Sequence, residues 1–334
     1  RAFLPEKHLL SYLEAVLRVY NQLGRRDNMY KARIKILVHE TGAEKFTEMV
    51  EREWEQIRDT AVELPAGERE RVAAFFNPPL YDAAGDAAET LTRDIAGDVD
   101  FAQWVDTNVA PHKADGYAIA NISLKPIGGV PGDASAEQMD AVAALAERFS
   151  LSEIRVTHEQ NLVLPHVRQD ELYAVWQTLK SYDLHTPNLG LVSDMIACPG
   201  MDYCALANAR SIPLAQEISE RFADLDRQHD IGELKLKISG CINACGHHHV
   251  GHIGILGVDR KGEEYYQITL GGSGAEDASL GDIVGPAFPY DKVVNAIETL
   301  VDAYLDVRAD GERFLDTYRR LGADPFKEAL YGVN

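Results

Sequence analysis

The sequence predicts an α+β protein with more than one domain. Helical apolar stripes dominate the first 76 residues, strand-like alternation interleaved with helices fills 113–185, and helices alternate with strands again from 186. At 334 residues the chain exceeds one ordinary core of ~150 residues. A hydrophobic share of 46% rules out a disordered chain. No run approaches the ~18 apolar residues of a membrane span, so no membrane partner is expected. A net charge of −20 opposes a phosphate backbone, so no nucleic acid is expected either. Arg1 stands where an initiator Met is expected, which reads as a fragment or a processed product.

The elements follow in order. Leu9, Leu13, Val16, Leu17 and Tyr20 recur at i, i+4, i+7, i+8 and i+11, an apolar helical stripe. Gly24 ends that helix and 25–28 forms a polar turn. Lys31 and Lys35 then share a helical face with Arg33 to one side, a pattern open to a solvated face or to an anion-binding one. From Asn77-Pro78-Pro79 the periodicity breaks. Residues 82–106 carry seven acids against Arg93 alone, which predicts an exposed connector over 77–112, with Phe101 and Trp104 packing back onto the body.

Residues 113–185 read as one unit. A strand at 117–124 and a loop at 128–132 lead to a helix capped by Ser135 and carrying Met139, Val142, Leu145 and Phe149. Strands at 153–157 and 162–167 flank a turn at 158–161, and a helix with Leu172, Val175, Trp176 and Leu179 closes the unit. This β-α-β-β-α order is half of a ferredoxin-like layout. In 186–334, a helix through Leu206, Ile212, Leu214, Ile218 and Phe222 precedes a strand at 234–238. Strands near 253–258 and 265–270 follow, then a helix from Asp291 with Val294, Ile297, Val301 and Tyr304.

All four cysteines fall within 48 positions, as Cys198-x5-Cys204 and Cys241-x3-Cys245 separated by 36 residues. A secreted disulfide framework spreads its bridges over a small domain, so the clustering favours a metal or redox centre in a reducing cytoplasm. Tetrahedral zinc accepts four thiolates but prefers knuckles of C-x2-C to C-x4-C. Iron–sulfur clusters take four thiolates at more widely separated corners. Buried free thiols remain the third alternative. Three consecutive histidines, His247-His248-His249, cannot all face one site, so cofactor-side packing or surface polarity suits them and His252 better than a second metal. Gly251, Gly254 and Gly257 lack the opening and context of a dinucleotide fingerprint. Gly271-Gly272-Ser273-Gly274 fits an anion nest or a plain turn, and Glu276 and Asp277 oppose the former.

The run Gly240-Cys241-Ile242-Asn243-Ala244-Cys245-Gly246, after C-x5-C, resembles the siroheme-containing sulfite and nitrite reductase family. Phe3-Leu4-Pro5-Glu6 before the first helix, Ala32-Arg33-Ile34-Lys35 ahead of Gly42-Ala43-Glu44-Lys45-Phe46, and Arg155-Val156-Thr157-His158-Glu159-Gln160-Asn161 before a strand extend the likeness over nearly the whole chain. The resemblance implies a sulfite/nitrite reductase-like α+β fold, with a ferredoxin-like parachute half and siroheme-binding α/β lobes. Residues 1–76 would be the C-terminal part of the first lobe, 77–112 the acidic connector, 113–185 the half-parachute and 186–334 the second lobe. The family's substrate-binding Arg and Lys side chains would lie largely in the absent N-terminal half.

By the same resemblance, Cys198, Cys204, Cys241 and Cys245 bind a [4Fe–4S] cluster, and Cys245 is also the axial ligand of the siroheme iron. A shared thiolate couples the two centres and leaves the opposite face of the iron open to an oxyanion. The implied activity is six-electron reduction of sulfite to sulfide in sulfur assimilation. Nitrite reduction to ammonia on the same fold is the alternative, and a non-catalytic zinc-stapled module is the competing class. Siroheme is a polycarboxylate, and Arg33 and Lys35 match the family's basic stretch, with Lys31 a weaker match. Gln160 and Asn161 match a polar turn near the cofactor, and Asn243 is expected to act through the cysteine loop. The implied electron donor is ferredoxin or a flavoprotein reductase, although an acidic ferredoxin complements a charge of −20 poorly.

Overall fold

Two bodies of packed structure, residues 1–80 and 81–334, make up the computed structural model. The described residues are 1–332 without 61, 63, 64 and 84. The first body contains α1 (Leu9–Leu23), α2 (Ile34–Thr41), α3 (Ala43–Ile57) and α4 (Ala66–Ala73). Its core gathers around Trp54 of α3, whose indole N–H donates to the buried Ser11 hydroxyl at 3.0 Å. Gly24 ends α1 as expected. The buried face of α1 is Ser11, Ala15 and Val19, whereas Leu9, Leu13 and Leu17 of the expected stripe are about half exposed. A bulky indole needs small side chains opposite it, and Ser11 and Ala15 supply them, which turns the leucines outward.

The second body departs from expectation at its start. The segment read as an exposed connector forms α5 (Ala87–Gly97) and α6 (Val99–Asn108), which runs into β1 (Val109–Pro111). Asp98 caps α6 by accepting from the Asp100 and Phe101 N–H groups, both at 3.1 Å. The acids misled because their density concealed a helical apolar spacing: Leu91, Ile95, Phe101, Trp104 and Val105 pack into the core, with Phe101 and Trp104 wholly buried. Packing of those two aromatics on the body was expected.

That core supports the first sheet, with β2 (Tyr117–Ile122), β3 (Arg155–Val156) and β4 (Leu162–Arg168) in the antiparallel order β1-β2-β4-β3. A capping box between Ser135 and Gln138 starts α7 (Ala136–Phe149), and α8 (Leu172–Ser181) follows β4. The ferredoxin-like half is therefore present. The second sheet begins with β5 (Ile196–Ala197), α9 (Gly200–Tyr203), α10 (Ile212–Arg221), α11 (Leu225–Ile231) and β6 (Leu236–Ser239). It continues with β7 (Ile253–Arg260), β8 (Glu263–Leu270), β9 (Asp282–Ile283), β10 (Phe288–Pro289), α12 (Tyr290–Val307), α13 (Phe314–Leu321) and α14 (Asp324–Tyr331). The order is β10-β8-β7-β6-β5, with β5, β6 and β7 parallel and β8 antiparallel to β7, β9 and β10. Leu206, expected in a helix, lies in an exposed loop, and α10 starts at Ile212 with Pro213 in its first turn. Leu236 and Ile238 of β6 join Leu214, Ile218, Ile297 and Val301 in one core, so Lys237 and Ser239 point to the other face. Among the described residues no helix is long and apolar enough to cross a membrane.

A buried ion pair joins the two sheets. Lys125 Nζ meets Asp194 Oδ1 at 2.6 Å, both side chains being 2% exposed, and also donates to the Glu159 carbonyl. Asp194 further accepts from Asn161 Nδ2 at 2.9 Å and from the Gly190 N–H at 2.8 Å. Removing one partner leaves the other charge buried, so Lys125→Met should lower the unfolding free energy by about 3–5 kcal/mol. Urea denaturation checks this, and a loss below about 1 kcal/mol, the worth of an exposed pair, would show the link to be dispensable.

Candidate metal centre

The cysteines sit where two parallel strands end. Ala197 of β5 lies opposite Ile238 of β6, and the Cys198 N–H donates to the Ile238 carbonyl at 3.1 Å. Cys198 follows β5 directly and Cys241 follows β6 after one glycine. Neighbouring strands lie ~4.8 Å apart, so both loops leave together at the carboxyl end of the sheet, where open α/β sheets bind ligands.

Backbone hydrogen bonds stitch the loops together. The Asn208 and Ala209 N–H groups both donate to the Gly240 carbonyl, at 2.8 and 3.1 Å, and the Ala207 N–H donates to the Cys204 carbonyl at 3.1 Å. In the second loop Ala244 and His247 take left-handed backbones (φ 58° and 54°), and His247 N–H donates to the Ala244 carbonyl at 2.8 Å. Gly246 admits no side chain, because a Cβ there would stand 1.9 Å from the Ile238 carbonyl oxygen. Beyond the first loop, Glu264 accepts from the Arg210 backbone N–H at 2.8 Å and from its Nε at 2.9 Å, and Tyr266 donates to the Arg210 carbonyl at 2.8 Å.

Exposure differs between the thiols: Cys198 and Cys241 are buried, Cys204 is half-buried and Cys245 is exposed. The Gly240 N–H donates to Cys198 Sγ at 3.1 Å, a bond that stabilises a thiolate and tunes a cluster. Among the described residues no three His, Cys, Asp or Glu side chains converge as ligands of one ion. Tyr203, Leu206 and Ile242 project exposed from the same loops (81, 68 and 78% exposed), an apolar rim that suits the face of a macrocycle.

The other expected site residues divide. Lys31, Arg33 and Lys35 are exposed in the first body, Arg33 being the residue that precedes α2. Asn243 is exposed between Cys241 and Cys245. Asn161 is wholly buried: its Oδ1 accepts from the Leu124 N–H at 3.1 Å and its Nδ2 donates to Asp194. Both ends of its amide thus engage the protein itself. Gln160, with a left-handed backbone (φ 60°), pairs its side-chain amide with both polar groups of Ala197: Nε2 donates to the carbonyl at 2.9 Å and Oε1 accepts the N–H at 3.1 Å. It therefore holds the residue before Cys198. His247 and His249 are exposed, whereas burial pushes His248 and His252 down to about 4 and leaves both rings uncharged at neutral pH. Sequence reading missed Lys125, Asp194, Arg210 and Glu264, which carry no motif. Lys237 did offer a signal, a cation alternating with apolar residues in a strand that ends at a cysteine.

Gln160→Ala should cost about 1–3 kcal/mol in urea, since two buried-edge hydrogen bonds are lost. It should also speed hydrogen exchange at the Ala197 amide. Unchanged protection there would show that another contact holds β5.

Comparison with known proteins places this geometry. The nitrite and sulphite reductase 4Fe-4S domain model matches residues 1–58 and 191–333, and the nitrite/sulfite reductase ferredoxin-like half-domain model matches 126–182. A protein named sulfite reductase [ferredoxin] 2 from Mycolicibacterium paratuberculosis is 27% identical over 98% of this chain and 54% of its own. A chloroplastic ferredoxin–nitrite reductase from Arabidopsis thaliana is 28% identical over 84% of this chain and 43% of its own. The chain thus spans about half the length of the curated relatives it matches. The solved structure of the Mycobacterium tuberculosis NirA protein shares the fold with a TM-score of 0.66 at 23% identity, over 97% of this chain and 54% of that one. Siroheme and a [4Fe–4S] cluster are the cofactors that these matches imply, and the chain carries four free thiols on two stitched loops. The chain belongs to the nitrite and sulphite reductase family.

Proposed function

We propose that this chain is the cluster-bearing part of a siroheme-dependent sulfite reductase serving sulfur assimilation in the cytoplasm. One observation carries the reading: four thiols leave the carboxyl ends of two adjacent parallel strands on loops locked together by the Gly240 carbonyl. Cys198, Cys204, Cys241 and Cys245 would hold the [4Fe–4S] cluster, with Cys245 also ligating the siroheme iron. Held by these residues, the two groups would supply the single-electron chemistry that reduction of an oxyanion needs. The chain's own task is to fix the thiols. Buried Cys198 and Cys241 are held by the sheet ends, while exposed Cys245 is free to reach a second group. Asn243 would stiffen the short loop between Cys241 and Cys245.

Lys31, Arg33 and Lys35 would neutralise siroheme carboxylates. They are exposed, and none has an ion-pair partner among the described residues. The domain reading follows the same lines, with 1–76 from the first lobe, 113–185 the half-parachute and 186–334 the second lobe. A ferredoxin-class donor agrees with the printed names of the relatives, and its acidic surface would dock on a part of the enzyme less acidic than this chain. Nitrite as substrate is the second reading, favoured by the relatives named nitrite reductases.

Experiments on full-length protein test these assignments. Cys198→Ser should abolish cluster iron and sulfide, because serine lacks the soft thiolate that iron prefers. Cys245→Ser should in addition alter the siroheme absorption bands. Wild-type iron content in Cys198→Ser would overturn the cluster assignment, and sulfite and nitrite turnover measured side by side decides the substrate. Arg33→Ala should lower siroheme retention while shifting stability by no more than ~0.5 kcal/mol. Full siroheme occupancy in that variant would return Arg33 to an ordinary solvated charge.

A further inference from the structure

A cavity of about 370 Å³ lies over the face of β6 that carries Lys237, walled also by Lys235, His247, His252, Gly274 and Arg313. Its size falls within the range of small-molecule sites. The acids on its wall are already matched. Glu159 faces Lys235 Nζ at 3.4 Å, and Glu233 faces Arg313 at 3.1 Å and Lys235 at 3.6 Å. Asp277 pairs with Arg319 at 2.7 Å and accepts from Ser273 Oγ at 2.6 Å.

Lys237 is the exception. Its side chain is buried (7% exposed), yet its ammonium has neither a hydrogen-bond acceptor nor an ion-pair partner among the described residues. Burial lowers its pKa, and the neighbouring charges of Lys235 and Lys125 add to that while Glu159 opposes it from beyond ion-pair distance. The ammonium lies 3.9 Å from where a Cβ on Gly274 would stand. A second buried group is also unfinished. His252, 3% exposed, accepts the Lys235 N–H at Nδ1 (3.3 Å), so its neutral ring carries the proton on Nε2. No protein acceptor meets that N–H among the described residues.

We propose that this cavity is an anion site that takes the oxyanion or carboxylate head of a small molecule, with Lys237 as its charge partner and His252 Nε2–H as a second donor. The site is distinct from the cysteine quartet and does not depend on which substrate the enzyme reduces. Full-length protein, both loaded with siroheme and stripped of it, would be titrated with inorganic sulfate and followed by calorimetry. Saturable one-site binding is expected. Lys237→Met should weaken it by about tenfold or more, the loss of one charge-assisted hydrogen bond, and Lys237→Arg should restore most of it. Gly274→Asp has room for its Cβ, whose nearest neighbour is Val250 Cγ2 at 3.5 Å, and should abolish binding by setting a carboxylate beside Lys237. Sulfate binding to both forms identifies a free-oxyanion site, whereas binding to the stripped form alone identifies a site filled by a tetrapyrrole carboxylate. Absence of saturable binding in both forms, or undiminished binding in Lys237→Met and Gly274→Asp, overturns the proposal.

Discussion

Lys125 and Asp194 face each other at 2.6 Å with almost no water, and the position of the first cysteine follows from that pair. A buried charge is tolerated only when its remaining bonds are satisfied, so Asp194 also collects Asn161 and the Gly190 N–H, while Lys125 reaches the Glu159 carbonyl. These contacts pin the 157–161 turn of the first sheet against the loop that enters the second. Gln160 rides on that turn and grips Ala197 through two hydrogen bonds, one residue before Cys198. A single electrostatic constraint thereby positions a metal-ligand candidate that it never touches. Its charged partners sit too deep for surface salt to screen them.

The second cysteine loop relies on backbone approach rather than charge. Gly240 offers its carbonyl to the Asn208 and Ala209 N–H groups and its own N–H to Cys198 Sγ, so one residue couples both loops. A side chain at Gly240 would stand 2.7 Å from the Ala209 carbonyl oxygen, and one at Gly257 would stand 2.5 Å from the Ala209 Cβ. Of the glycines that mimic a nucleotide fingerprint in the sequence, Gly257 is therefore a close-packing position beneath the cysteine loops, while Gly251 and Gly254 pack against the Ile253 and His248 carbonyls. The same demand explains why Arg210 is fixed at two of its nitrogens by Glu264, since the stitch at 208–209 needs a firm continuation.

Legibility in the sequence followed the kind of physics involved. Cysteine spacing exposed the family because thiolate chemistry admits few residue types, and the strand–helix order exposed the ferredoxin-like half because periodicity is local. Burial was less legible. The Leu9, Leu13 and Leu17 stripe turned outward because Trp54, distant in sequence, selects the small face of α1. The acids of 82–106 suggested a connector because charge density conceals a helical apolar spacing. The hydrogen bond of Asn161 to Asp194 was not legible, because its partner lies far along the chain. Ion pairs between elements far apart in sequence, such as that of Lys125 and Asp194, leave no local pattern at all.

Exposure across the thiols orders them along one direction. Cys198 and Cys241 lie under the strand ends, Cys204 is intermediate, and Cys245 stands outermost beside exposed Asn243. A thiolate shared between two metal groups must present one lone pair inward and another outward. Cys198 is already engaged, by the Gly240 N–H and by the Ser211 hydroxyl. Cys245 is exposed, and the apolar rim of Tyr203, Leu206 and Ile242 on the same two loops offers a flat ligand somewhere to rest. The gradient of burial agrees with the proposal that Cys245 is the shared thiol.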